Sequence, residues 1–192
     1  MSSDLSSKEE DFQKVEEALA GDPESYEFLF NKYRNKIYRV VYGYVYNQDD
    51  ALDITQDAFL KAFQSLHTFR RKAGFYTWLC QIAINKAIDF KRKKKRRQTS
   101  QLQEFVSSED SAIGPSVTPP DRPVEAEELQ QGFVEALDQL SEKHRTVFLL
   151  NTVENLSYKE IAEALGISIG TVMSRLHYAR KRLQKLLKEY LS

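Results

Sequence analysis

Cysteine is nearly missing from this sequence. Cys80 stands alone among 192 residues, which excludes a disulfide framework within the chain. Histidine is almost as scarce, three in all, and their scatter gives no metal-ligand spacing. The seven glycines form no phosphate-cradling loop, and no nucleophile–base set stands out, so the expectation is a non-enzyme without metal or cofactor. No apolar run is long enough to span a bilayer, and no charged-then-apolar segment opens the chain. The expectation is therefore a soluble protein that stays where it is made. What is present is a globular composition, 41% hydrophobic, enough to bury the core of one domain or of two small ones.

Net charge is zero, 28 basic against 28 acidic residues, but the cancellation hides a pattern. Residues 1–97 carry 18 Lys/Arg and 14 Asp/Glu (net +4), residues 98–130 carry 1 and 7 (net −6), and residues 131–192 carry 9 and 7 (net +2). Eight basic residues against Asp89 crowd into 86–97, and six against Glu189 into 171–192. Two basic stretches separated by an acidic one are an electrostatic footprint for nucleic acid touched at two places. The run from Lys91 to Arg97 reads either as a strip of phosphate contacts or as a solvated run leading into the acidic segment.

Four of the five prolines (Pro115, Pro119, Pro120, Pro123) and seven Ser/Thr fall between Gln98 and Val124. Prolines so close together remove backbone donors, and few apolar residues remain to bury. The segment reads as a linker over 98–126 between an N-terminal domain, 1–97, and a C-terminal one, 127–192. A long ordered loop of one domain is the alternative.

Both flanks read as helical. Phe30, Tyr33, Ile37, Val40 and Tyr44 recur at steps of three and four, as do Leu52, Phe59, Phe63 and Leu66, with Ala58 and Ala62 allowing close approach. A helix over Asp11–Ala20 ends at Gly21 and Asp22-Pro23 starts the next. Another begins near Phe75, turns Leu79, Ile82 and Ala83 inward, and can continue through the basic run. No sustained two-residue alternation signals a sheet. The fold class expected is all-α, two small helical domains joined by a flexible linker.

The most specific local signal lies near the C-terminus. Ser157 caps a short helix, Tyr158–Leu165, with Ile161, Ala162 and Leu165 inward. Gly166 supplies a tight turn, and Ser168 caps a second helix anchored by Val172 and Leu176. A small residue at the crossing, a turn glycine and an apolar anchor are what a helix-turn-helix needs. Its outer face offers Thr171, Ser174, Arg175 and His177, then Arg180, Lys181 and Arg182, hydroxyls and cations that reach phosphates and base edges. An amphipathic hairpin with a solvated basic face is the bland alternative.

The N-terminal half has two constellations. Asp50, Asp53 and Asp57 form one acidic ridge, and like charges at that spacing cost stability unless a cationic partner meets them. Further on, Phe69-Arg70-Arg71-Lys72-Ala-Gly74-Phe75-Tyr76-Thr77-Trp78 interleaves rings with cations. Since 16 of the 22 aromatics lie before residue 98, part of this set, Trp78 included, serves the core. The rest suits stacking of unpaired bases beside a held strand, with Gly74 permitting a tight backbone. Cys80, between Leu79 and Gln81, reads as packing rather than redox sensing.

Three segments together resemble the extracytoplasmic-function (ECF) class of bacterial RNA polymerase sigma factors. They are Asp50-x-x-Asp53-Ile54-x-Gln56-Asp57-x-Phe59-Leu60, Phe75-Tyr76-Thr77-Trp78-Leu79 with Asn85 downstream, and Ser157-Tyr158-x-Glu160-Ile161-Ala162 followed by Gly170-Thr171-Val172-x-Ser174-Arg175-Leu176. The resemblance covers about Asp22 to Leu187. It implies that Asp50, Asp53, Ile54, Gln56, Asp57, Phe59 and Leu60 meet the basic clamp of the polymerase largest subunit. It implies that Phe69, Arg70, Arg71, Lys72, Phe75, Tyr76, Asn85, Lys86 and Arg92 serve the minus-ten element, the loop before Trp78 capturing an extruded base. It implies that Ser168, Thr171, Met173, Ser174, Arg175, His177 and Arg180 read the minus-thirty-five element. The partners implied are the polymerase core, promoter DNA both duplex and melted, and an anti-sigma factor, in the bacterial cytoplasm without membrane insertion. Asp57 stands where the family often has Glu, Met173 where Lys or Arg is frequent, and Tyr178 where Arg is common. An autonomous helix-turn-helix regulator is the alternative, and it leaves the acidic ridge and the aromatic–basic loop without a role.

Overall fold

Helix starts and stops follow local chemistry in the computed structural model, which describes residues 2–71, 73–105 and 132–190. The first helix, α1 (Ser2–Leu19), is longer than its expected core. It ends before Gly21, whose φ of 101° is open to glycine at no cost. Asp22 accepts from the Glu24 N–H and Pro23 takes the first turn of α2 (Pro23–Val45), where a missing donor is harmless. Asn47 caps α3 (Gln48–Gln64) through the Asp50 N–H. A 3-10 turn, Leu66–Thr68, leads to α4 (Phe75–Phe105). The second half comprises α5 (132–138), α6 (Glu142–Thr152), α7 (Tyr158–Leu165) and α8 (Ile169–Tyr190). Among the described residues there is no strand, and the all-α expectation stands.

The boundary at residue 97 does not coincide with the end of an element. Lys, Arg and Gln are good helix formers and no proline intervenes before Pro115, so α4 carries its helical backbone on to Phe105. The rest of the expected linker, 106–126, and Lys72 lie outside the described residues.

Leu29, Tyr33, Ile37, Val40 and Tyr44 of α2 meet Phe75, Leu79, Cys80 and Ala83 of α4 in the N-terminal core, with Phe30 half-buried at its margin. One expectation fails on α3. Leu52 and Phe63 do not face inward; they are 50% and 53% exposed. The buried seam runs instead through Ala51, Ile54, Ala58, Phe59 and Ala62. Alanines let α3 approach its neighbours closely, and that geometry rotates the bulkier Leu52 and Phe63 to the flank.

The core does not stop at the end of the N-terminal half. Val147, Leu149, Leu150, Leu156, Ile161, Val172 and Leu176 belong to the same buried cluster, with α6 against α2 and α7 against α4. A second cluster joins Ala136, Leu137 and Leu140 to Ala179, Leu183 and Leu186, with Tyr46 packed on it. Gly43 permits a close approach, since a Cβ there would stand 3.0 Å from Leu149 Cδ2. Beside it Arg145, 5% exposed, donates to the Gly43 and Tyr44 carbonyls at 3.3 and 3.2 Å and to the Tyr46 hydroxyl at 2.5 Å. These carbonyls belong to the last turn of α2, which has no helical donors left and carries partial negative charge, so a guanidinium suits it.

Candidate nucleic-acid and polymerase interfaces

In the helix-turn-helix, the Glu160 N–H donates to Ser157 Oγ (3.3 Å) while Glu160 Oε2 accepts from the Ser157 N–H (3.0 Å), a reciprocal capping box. Caps of this kind contribute about 1 kcal/mol. Gly166 turns the chain at φ 62°, and Ser168 Oγ accepts from the Thr171 N–H at 3.1 Å to start α8. Buried Val172 and Leu176 meet Ile161 and Ala162 and set the angle between the helices. The opposite face of α8 therefore points outward. Met173 is 54% exposed, Ser174, His177 and Arg180 are exposed, and Arg175 and Thr171 are half-buried. A groove of about 790 Å³ runs along this face between Tyr158, Met173, His177, Arg180 and Lys181. Arg180 donates to Asn151 Oδ1 at 2.9 Å, and Ser174 Oγ rests on the Thr171 carbonyl at 3.1 Å, so these side chains are held before any ligand arrives. Tyr178 stacks on His144, whose imidazole is held below its usual pKa by burial and by Arg175 and Lys143.

On α3, Asp53, Gln56, Asp57 and Leu60 are exposed on one side. Ile54 and Phe59, expected among the contact residues, are 5% and 3% exposed and pack into the bundle beneath the ridge. The ridge is partly met from within, Lys94 pairing with Asp50 at 2.8 Å and Lys86 with Asp57 at 3.4 Å. Exposed pairs of this kind are worth roughly 0–1 kcal/mol and yield readily to a stronger partner. Leu52, Leu60 and Phe63 flank the carboxylates, which gives the face the mixture of apolar centre and charged rim found in protein–protein interfaces. Periodicity misassigned Leu52 and Phe63 to the core, because a step of three or four cannot tell a seam from its flank.

The aromatic–basic loop is arranged differently from expectation. Phe75 is fully buried and is core, not contact. It meets Phe69 and Trp78 at ring distances of 5.9 and 5.8 Å, with Phe69 half-buried against Phe12 as well. The strained backbone falls at Arg71 (φ 55°) and not at Gly74. Arg71 is held by α1, paired with Glu16, donating to the Phe12 carbonyl at 3.3 Å and lying over the Phe12 ring. Arg70 and Asn85 are exposed, Lys86 half-buried. Tyr76 stacks on Tyr33 and donates to Glu154 Oε2 at 2.6 Å, and Arg92 is held by Glu142 at 3.2 and 2.7 Å. Glu154 and Glu142 carry no sequence signal of their own, because the side chains they pair with lie 50 or more residues away in the chain; Arg145 pairs locally with Asp138 at 2.6 Å, but its contacts to the end of α2 are equally distant in sequence.

Residues 29–97 match the Sigma-70 region 2 family and residues 130–183 the Sigma-70 region 4 family. The chain is 34% identical over 189 residues to the RNA polymerase sigma-H factor of Pseudomonas aeruginosa, covering 96% of this chain and 97% of that protein. It is 32% identical to the ECF RNA polymerase sigma factor SigW of Bacillus subtilis (92% and 96% covered) and 33% identical to the ECF RNA polymerase sigma-E factor of Escherichia coli K12 (88% and 90%). Among solved structures, CnrH in complex with the cytosolic domain of CnrY shares the fold, with a TM-score of 0.70 at 23% identity over 94% of this chain and 98% of that one. The sigma factor RpoE in complex with the anti-sigma factor NepR, from Bartonella quintana, matches with a TM-score of 0.60 at 28% identity over 85% and 96%. The chain belongs to the ECF sigma factors of bacterial RNA polymerase. It binds the polymerase and directs initiation at specific promoters, and the family acts in initiation without catalysing a reaction of its own.

Proposed function

We propose that residues 1–97 bind core polymerase and trap the minus-ten strand, while residues 127–192 read the minus-thirty-five element. On α3 the docking face is Asp53, Gln56, Asp57 and Leu60 with Asp50 at its edge. Arg70, Phe69, Asn85, Lys86 and Arg92 serve the melted strand and the upstream duplex edge. Met173, Ser174, His177 and Arg180 face base edges, with Arg175, Thr171 and Ser168 towards phosphates. No covalent step belongs to this chain. Stacking returns ~1–3 kcal/mol per unpaired base towards the cost of melting, and holding both halves on one polymerase raises their effective concentration on the promoter. The protein works in the cytoplasm, where its partner is an anti-sigma factor, as the RpoE it resembles is found in complex with the anti-sigma factor NepR.

The observation that carries this reading is the outward face of α8, presented by a capped and anchored helix-turn-helix. Exchanging Ser174 for Asn and His177 for Arg, in core polymerase reconstituted with the full chain and offered a promoter library, should change the preferred upstream sequence. Each base contact is worth ~1–3 kcal/mol of discrimination. An unchanged preference would remove the base-reading role.

A further inference from the structure

Helix α1 lies before the residues matched to Sigma-70 region 2, which begin at 29, and none of the docking or DNA-facing residues belongs to it. It is nevertheless firmly anchored. Val15 is buried in the core, and buried Asp11 accepts from Lys32 Nζ at 2.7 Å and from the Tyr33 hydroxyl. Glu17 accepts from Ser25 Oγ at 2.6 Å. Lys8, Phe12 and Glu16 follow at steps of four, so they share one side of the helix. That side meets the aromatic–basic loop at its start, its middle and its end. The Phe12 ring stands 5.9 Å from the Phe69 ring. Glu16 pairs with Arg71, whose guanidinium also lies 5.2 Å over the Phe12 ring and donates to the Phe12 carbonyl at 3.3 Å. Lys8 Cε is 3.6 Å from where a Cβ on Gly74 would stand. Arg71 takes a left-handed backbone, φ 55°, which residues other than glycine seldom adopt unless their surroundings hold them there. Arg70, next to it, stays exposed.

We infer that α1 is a brace that presets the strand-capturing loop, with Phe12, Glu16 and Arg71 as its positioning residues. The inference rests on the functional reading above. It moves Arg71 from the strand to the bundle: the guanidinium is occupied by a carboxylate, a carbonyl and a ring of α1 and serves the shape of the loop. Arg70 is left to meet phosphate. The gain is preorganisation. A loop that samples several shapes binds a strand with an affinity lowered by the fraction of chains in the capturing shape. Ordering it at the moment of binding takes free energy that would otherwise hold the strand. Here the ring packing and the three contacts of Arg71 are made before DNA arrives. The brace also accounts for an acidic residue beside a strand-binding loop, where phosphate attraction alone would disfavour one.

The test uses core polymerase reconstituted with the full chain and a labelled single strand carrying the minus-ten sequence selected from the promoter library, titrated at several salt concentrations. Phe12→Ala should weaken strand binding roughly tenfold, corresponding to about one chain in ten with its loop in the capturing shape once the brace is gone. Glu16→Gln changes an exposed position and should weaken it roughly threefold, although losing a negative charge near DNA would by itself tighten it. Core binding should stay constant in both. Salt separates a strut from a contact. Arg71→Ala should lower the affinity while the slope of log affinity against log salt holds, whereas Arg70→Ala should reduce that slope by about 0.7, the share of one phosphate on a single strand. If Arg71→Ala reduces the slope as Arg70→Ala does, Arg71 is a phosphate contact and the inference falls. It falls equally if Phe12→Ala or Glu16→Gln, with a native circular dichroism spectrum and full core binding, holds the strand as tightly as the parent; should Phe12→Ala lack a native spectrum, Glu16→Gln decides alone. If Arg70→Ala changes neither affinity nor slope, the loop is not where the strand binds, and the functional reading fails and takes the inference with it.

Discussion

At Cys80 the surroundings decide what a reactive atom can do. Burial pushes its thiol from 9.0 up to about 12, and burial likewise raises the phenols of Tyr26 and Tyr46 from 10.0 to about 12. Each folded-state value lies above the unfolded one, so each group supports folding while protonated. That contribution is complete below pH 9 and is lost as pH rises towards 12. Urea midpoints should accordingly stay level to about pH 9 and decline beyond it. At about pH 8 Ellman's reagent should label Cys80 only in denaturant; rapid labelling of the native chain would contradict the packing role. Arg71 shows the same dependence on surroundings: its left-handed backbone is sustained by Glu16, the Phe12 carbonyl and the Phe12 ring together.

The instructive element is α3. Its inner seam sets Ile54 and Phe59 among three alanines, and its outer face mixes carboxylates with Leu52, Leu60 and Phe63. Asp53→Lys with Asp57→Lys alters only exposed positions, so thermal stability should change by no more than about 0.5 kcal/mol. Core polymerase binding should be lost by several kcal/mol, because attraction is replaced by like-charge repulsion at a basic clamp. A pull-down with undiminished core, from protein with a native circular dichroism spectrum, would overturn the docking assignment.

For the whole molecule the question is the order of events on a promoter. The aromatic cluster around Phe69 and Phe75 is a rigid base for the loop, and exposed Arg70 stands at its edge without an internal role to lose. Arg70→Ala should therefore leave core binding and closed complexes intact, while open-complex formation falls about tenfold, the loss of roughly one stacked or held nucleotide. A template carrying a pre-melted bubble should recover part of it. Permanganate reactivity of thymines on the two templates separates the cases, and equal losses on both would make the loop a packing element.

Much of this protein was decided locally. Gly21, Asp22-Pro23, Ser157, Gly166 and Ser168 act through atoms a few residues away, so the helix boundaries and the helix-turn-helix could be read from the chain alone. The acidic ridge and the basic run could be read for the same reason, because a charge pattern on a helix face needs only the helical period. Tertiary structure decided the rest. Which side of α3 faces in depends on how closely alanines let it approach α2 and α4, and whether Phe75 stacks on a base or on Phe69 depends on what fills the core. The union of Arg92 with Glu142, Tyr76 with Glu154 and Arg145 with the end of α2 joins residues between 50 and 102 positions apart. Such pairs leave no period and no spacing in the sequence; they exist only because two apolar faces pack and bring the charges at their margins within reach.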